Sequence, residues 1–146
     1  MKARKVKGLD PTGAFADNAR RIVAVRAQEV LDIAGNAQEP AQATALHDLR
    51  IAAKRLRYVL DLTGSPDVVT QLKGLQDLLG ELHDCDVQLP GIRTLARDLP
   101  DREAVGVRTV AVQLATRRAT CFERFHQQWP SIERSLGALA RVEVSP

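Results

Sequence analysis

The chain has 146 residues, of which 45% are hydrophobic but only 3% aromatic, and its formal net charge is +3. This length suits a single domain, and a core with so few aromatic side chains must be mainly aliphatic, as in packed helices rather than a β-sandwich. No apolar run approaches the roughly 20 residues that cross a bilayer, so we expect no membrane association.

The N-terminal segment and the cysteines indicate the cellular compartment. The N-terminus is basic, but no apolar signal-peptide segment follows it. Cys85 and Cys121 are too few for a disulfide scaffold, so we interpret both as free thiols in a reducing compartment. We therefore expect a cytoplasmic protein. Its predicted parts are a basic N-terminal tail over 1–9, one helical domain over 10–140 and a C-terminal tail over 141–146.

The first two predicted helices are marked by residues that favour helix ends. Asp10, an N-cap acid followed by proline, predicts the start of the first helix, and Gly35 predicts its end. The second helix is predicted to begin after Pro40 and to end at Gly64.

Prolines are expected at the ends of the third helix and inside the fourth. The third is expected to end before Pro90, and a short separate piece over 92–99 leads to Pro100. The fourth is long, and Trp129-Pro130 is expected to kink or split it. Each helix has one apolar stripe to bury, so the predicted fold is all-α, an antiparallel four-helix bundle.

Basic side chains line up along the second helix, immediately beside its apolar stripe. Like charges three or four positions apart repel by a few tenths of a kcal/mol, and a bound anion would relieve that repulsion. A merely solvated basic face is the alternative. The stripe contains His47, Arg50, Lys54, Arg57 and Tyr58.

One face of the third helix is also polar, with Lys73, Gln76, Gly80 and His83 at helical spacing. Glycine in a helix interior costs about 1 kcal/mol relative to alanine, so Gly80 indicates close approach by another backbone or a ligand. A simple helix-packing glycine is the alternative.

Two arginines, Arg26 and Arg118, fall within the apolar stripes of the first and fourth helices. A buried guanidinium must be paired or strongly hydrogen-bonded. Either internal acids such as Asp84 or Asp86 pair with them, or they line a cleft and bind an anion. The rigid fork of arginine suits phosphate oxygens.

Two segments carry a family resemblance. The segment from His47 to Arg57, HDLRIAAKRLR, resembles the signature helix of CHAD domains, the conserved histidine α-helical domains. The segment from Leu78 to Val87, LLGELHDCDV, resembles their second signature, Leu-Gly-x-x-Arg-Asp-x-Asp-Val, and the similarity extends over about residues 10–140.

The resemblance implies a helical domain whose basic groove binds inorganic polyphosphate, or another phosphate-rich polyanion, without catalysis. No cofactor, metal site or catalytic residue is expected. From the motifs, the ligand-binding residues would be His47, Arg50, Lys54, Arg57, Lys73 and His83, and the buried-arginine argument adds Arg26 and Arg118.

The chain departs from the family pattern in two ways. His83 stands where arginine is usual, so contact with an anion there would depend on pH. Members usually contain two four-helix halves related by approximate two-fold symmetry, whereas this chain has one. We therefore expect a homodimer that completes the two-half binding surface, and association with polyphosphate granules is a further expectation.

Three other functions are compatible with parts of the sequence. A basic stripe would also bind the phosphate backbone of nucleic acid, although few aromatic residues are present for base stacking. The His47-Asp48 and His83-Asp84 dipeptides superficially suggest a metal-dependent HD-type phosphohydrolase. Successive helical residues point about 100° apart, which disfavours their sharing one metal. A structural helical adaptor is the third.

Overall fold

The computed structural model describes residues 1–141, so the rest of the predicted C-terminal tail, 142–146, lies outside the described residues. The described part contains helices and no strand, which confirms the all-α prediction. The four helices are α1 (Phe15–Gly35), α2 (Ala43–Thr63), α3 (Pro66–Asp98) and α4 (Asp101–Ala140).

Each helix packs against its neighbours in the chain, and α1 also packs against α4, which closes a ring of four helices around one core. Contacts between α3 and α4 run in opposite order along the two helices. Gln71 Nε2 donates to Ser131 Oγ at 3.3 Å, whereas Glu81, farther along α3, accepts from Arg117, which lies earlier in α4. The antiparallel arrangement of the whole bundle stays a prediction.

The core is aliphatic, as the composition requires. Nine of the eleven largest fully buried side chains are leucines, and Phe125 is the only aromatic one among them. Burial of these side chains is the main favourable contribution to folding. The leucines are Leu46, Leu49, Leu56, Leu60, Leu72, Leu75, Leu79, Leu82 and Leu136.

The start of α1 differs from the prediction. Asp10 does not cap the helix, because its carboxylate accepts hydrogen bonds from the backbone N–H and the hydroxyl of Thr12 within a preceding turn. The helix begins only at Phe15, and Ala14 before it provides no side-chain cap. The acid-and-proline signal therefore marks a turn here instead of a helix start.

The predicted break at Pro90 is also wrong, because α3 continues through that residue to Asp98. Proline removes one backbone hydrogen bond, but Leu89 and Ala96 remain buried on either side of it. Likewise α4 passes through Pro130 without a split, and Trp129 and Ile132 are buried beside it. A kink at Pro130 stays a prediction.

The N-terminal segment lies against α1 and α2. The Arg4 backbone N–H donates to Glu29 at 2.9 Å, and the Arg4 guanidinium pairs with Asp32 at 2.7 Å. Arg55 of α2 donates to the Met1 carbonyl at 2.6 Å. The domain boundaries expected near residues 9 and 141 stay predictions.

Both cysteines are free and buried, on α3 and α4 respectively. The Cys121 sulfur lies 3.6 Å from a carboxylate oxygen of Glu81. Burial, together with nearby acids, raises the pKa of both thiols above the ordinary value. Among the described helices, none has both the length and the apolar character that a bilayer crossing requires.

Two leucines of α2 provide a matched test of the core. Leu56 is fully buried, whereas Leu62 is 79% exposed. We expect Leu56→Ala to lower the free energy of unfolding by about 2–5 kcal/mol, because it leaves a cavity. Leu62→Ala should change it by less than about 0.5 kcal/mol. Urea unfolding followed by circular dichroism measures both, and equal losses would contradict this core.

Candidate phosphate-binding face between α2 and α3

The two predicted polar stripes meet where α2 packs on α3. The rings of His47 and His83 lie with their centroids 4.4 Å apart. A Cβ added at Gly80 would lie 3.6 Å from Arg50 Nε, so the neighbour of this glycine is the Arg50 side chain and not a backbone. The packing thus brings His47, Arg50 and His83 together across the two helices.

Several polar atoms on these two helices are buried without a hydrogen-bond partner among the described residues. They include His47 Nδ1, Arg57 Nε and Gln76 Nε2. Arg55 Nη1 and Gln71 Oε1 are also buried without such a partner in this part of the chain, so such atoms are not confined to this surface, and each costs about 1–3 kcal/mol if it stays unsatisfied. A hydrogen-bonding anion on this surface would supply acceptors for Arg57 Nε and Gln76 Nε2.

Farther along α2, the predicted cations surround an exposed aromatic ring. The Arg57 guanidinium lies 4.7 Å from the centre of the Tyr58 ring, and Lys54 Nζ lies 5.7 Å from it. Arg57 also lies 3.5 Å from Asp61, whose side chain is 40% exposed. This ion pair is partly solvated, so it competes only weakly with an incoming anion.

The remaining cations of the two stripes have no acidic partner among the described residues. No ion pair within residues 1–141 involves Arg50, Lys54 or Lys73. Lys54 and Lys73 are exposed, and Arg50 is half-buried. We call this surface the α2–α3 basic face, and its residues are His47, Arg50, Lys54, Arg57, Lys73 and His83.

The two arginines predicted from the apolar stripes are paired inside the protein. Arg26 donates to Glu29 at 2.7 Å, and both side chains are largely buried. Arg118 pairs with Asp86 of α3 and donates to the Pro40 carbonyl at 2.7 Å. Internal acids, which were one of the two alternatives for these arginines, therefore hold both of them.

Glu29 organises a second charged cluster that the sequence reasoning missed. It is the one buried charged residue of the described chain, at 4% exposure. It accepts hydrogen bonds from Arg26 and from the Arg4 backbone, and Arg55 lies 3.8 Å away. Arg55 thus faces α1, on the other side of α2 from the basic face. The sequence signal for this ion pair was Glu29 itself, an acid three residues after Arg26, because opposite charges at this spacing can pair on a helix.

The protein environment of Glu29 stabilises its carboxylate. Burial alone would raise its pKa, but the Arg4 N–H, the hydrogen bond and charge of Arg26 and the charge of Arg55 together hold the pKa below the ordinary 4.5. A carboxyl group with a lowered folded-state pKa contributes stability above its unfolded pKa. This contribution is lost as the pH falls through the folded pKa.

We therefore expect Glu29→Gln to lower the free energy of unfolding at pH 7 by roughly 1–3 kcal/mol, since the guanidinium groups lose their counter-charge. The difference between variant and native protein should shrink as the pH falls below 4.5. Urea unfolding between pH 7 and pH 3 measures this. A difference that grows on acidification would contradict the assigned role of Glu29.

Side chains that could bind a metal are scattered over the described fold. Within residues 1–141, no group of three or more His, Cys, Asp or Glu side chains is placed to hold a metal ion. The His47 ring packs on the His83 ring.

One comparison with known proteins gave a match. A family model, the CHAD domain, matches residues 3–93, which is more than half of the chain. The matched range contains α1, α2 and most of α3, whereas α4 lies outside it. No curated protein and no solved structure matches the chain.

Proposed function

Because the chain belongs to the CHAD domain family, whose members are helical polyphosphate-binding modules, we propose that it binds inorganic polyphosphate along the α2–α3 basic face. Family membership supports the class of ligand. The proposed position of the binding site on the fold rests on one observation, namely that helix packing brings His47, Arg50 and His83 together.

The proposed binding mechanism is electrostatic. Successive phosphates of the chain displace counterions from the anion and contact successive cations of the face. Arg50 would form paired hydrogen bonds to phosphate oxygens, whereas Lys54 and Lys73 would act as mobile point charges. Phosphate oxygens would also accept from Arg57 Nε and Gln76 Nε2. Nothing in this mechanism requires a bond to break, so we propose binding without catalysis.

Arg26 and Arg118, which we predicted as ligand-binding residues, are not part of this proposal. Each would have to give up an internal carboxylate, Glu29 or Asp86, before it could bind phosphate. Separating a largely buried ion pair is costly because it leaves an unpaired charge. We therefore restrict the proposed site to the α2–α3 basic face.

Single-stranded nucleic acid is the second candidate ligand. Tyr58 is 52% exposed beside Lys54 and Arg57, and aromatic rings beside cations are typical of surfaces that stack bases. One ring gives little stacking, however, so polyphosphate remains the preferred ligand. Competition of unlabelled polyphosphate with a labelled oligonucleotide ranks the affinities of the two ligands.

We also propose that two copies form a homodimer, which would give the single half-domain the two-half binding surface expected for the family. The proposed location is the cytoplasm, where association with polyphosphate granules would follow from the same binding.

Calorimetric titration with long-chain polyphosphate tests the site. With about four phosphate contacts, affinity should fall roughly 50-fold between 50 and 200 mM salt. The triple variant His47→Ala, Arg50→Ala and Arg57→Ala should bind roughly 100-fold more weakly, because three charge-assisted contacts are lost.

A second triple variant controls for total charge. His126→Ala, Arg97→Ala and Arg134→Ala remove the same side-chain types from exposed positions outside the face. This variant should keep its affinity within about threefold. If both triple variants lose affinity equally, binding depends on net charge and not on the α2–α3 basic face.

The histidine pair makes a pH-dependent prediction. Imidazole attracts an anion as a cation only when it is protonated, and an anion bound beside the adjacent rings of His47 and His83 would favour that form. Polyphosphate affinity should therefore rise on acidification, and His83→Arg should reduce the rise and tighten binding at pH 8. The same titration at pH 8 and pH 5.5 measures both. An unchanged pH dependence in His83→Arg would remove His83 from the site.

A further inference from the structure

The outward face of α4 has no charged side chain over more than four turns. Exposed residues recur there every three or four positions, so they form one continuous stripe. They are small, β-branched or uncharged, and Val105 and Val112 are 60% and 65% exposed. The stripe consists of Val105, Gly106, Thr109, Val112, Gln113, Thr116 and Thr120.

The charged residues in this part of α4 point away from the stripe or pair within the chain. Arg117 and Arg118 bond to Glu81 and Asp86 of α3. Arg108 pairs with Asp101 at 3.0 Å. A solvated helix face normally carries charged side chains, and this stripe has none, although four of its seven residues are threonine or glutamine. Its two exposed valines supply the apolar part of a surface that could contact another protein.

The two ends of the stripe carry charges in complementary order. Asp101 and Arg102 precede it, and Glu123 and Arg124 follow it. All four are exposed, and no ion pair within residues 1–141 involves Arg102, Glu123 or Arg124. This order matters when the helix is paired with an identical helix running in the opposite direction.

In such an antiparallel pair, one register places Arg102 opposite Glu123 of a second copy. Two-fold symmetry repeats this pair at the other end. Val112 then lies next to Gln113 of the second copy, at the symmetry axis. Opposite charges therefore meet at both ends while the uncharged stripe fills the centre.

We infer that the outward face of α4 is the interface of a two-fold symmetric homodimer, with a second copy of this chain as its occupant. The inference takes from the proposed function only that two copies associate. Because α4, among the described helices, packs on α1 and α3 and not on α2, this contact would place the two α2–α3 basic faces on opposite sides of the dimer. It uses no part of the α2–α3 basic face, and α4 lies outside the matched family region. Dimerisation and polyphosphate binding can therefore be measured separately.

The size of the stripe sets the expected strength of dimerisation. From Arg102 to Arg124 the helix is about 33 Å long at about 1.5 Å per residue, and a helix is about 10 Å wide. This footprint, on the order of 300 Å², is well below the roughly 800 Å² per partner of a stable complex. We expect a weak dimer, because small interfaces are typical of transient complexes.

Sedimentation velocity over a concentration series tests the interface with the full chain. The native protein should shift from monomer to dimer across the micromolar range. Val112→Glu, at an exposed position, should remain a monomer because it places two like charges near the symmetry axis. Arg102→Glu and Glu123→Arg should each weaken dimerisation at least about tenfold, because each creates two like-charge pairs.

The double variant carrying Arg102→Glu and Glu123→Arg restores opposite charges, and its dimerisation should return to within about threefold of the native value. Arg134→Glu, on the same helix but outside the paired segment, should leave dimerisation unchanged. A native protein that stays monomeric, or a dimer that Val112→Glu leaves intact, would overturn the interface. Failure of the double variant to recover would overturn the register.

Polyphosphate titration of Val112→Glu separates this inference from the proposed function. A monomeric variant that still binds polyphosphate would retain the α2–α3 basic face as an independent site. A native dimer that does not bind polyphosphate would refute the ligand but leave the α4 interface in place.

Discussion

Burial of the leucine stripe of α2 fixes the rotation of this helix, and the placement of its charges depends on that rotation. Leu46, Leu49, Leu56 and Leu60 have at most 1% of their surface exposed. With these side chains turned into the core, His47 and Arg50 lie on the side of α3, and Arg55 lies on the side of α1. A hydrophobic constraint thus sorts cations of one helix into a surface that faces solvent and a cluster that is internally neutralised.

Internal acids decide which cations are free to bind an anion. Glu29 and Asp86 each sit beside an arginine and satisfy it within the fold, and burying such pairs contributes little net stability relative to apolar packing. Because of these pairs, Arg26 and Arg118 are not among the unpaired cations. Arg50, Lys54 and Lys73 have no such partner among residues 1–141, so ligand affinity would concentrate on one side of the bundle.

Much of this arrangement could be predicted from periodicity. Helical spacing predicted one polar stripe on α2 and one on α3, and His47 and His83 of these stripes lie next to each other in the fold. Asp10 and Pro90 misled because local signals for helix ends describe only the backbone near them, whereas burial of Leu89 and Ala96 keeps α3 continuous. Glu29 was missed because its role depends on contacts from residues 4 and 55, which lie far away in the chain.

The buried thiols at the contact of α3 and α4 have a practical consequence. Cys85 and Cys121 are 2% and 4% exposed, and a raised pKa keeps both in the less reactive thiol form. Alkylating reagents should therefore react only when these two helices separate. The rate of modification would report how often that contact opens, without an introduced probe, and slower modification at higher protein concentration or with bound polyanion would reveal which association restrains the opening.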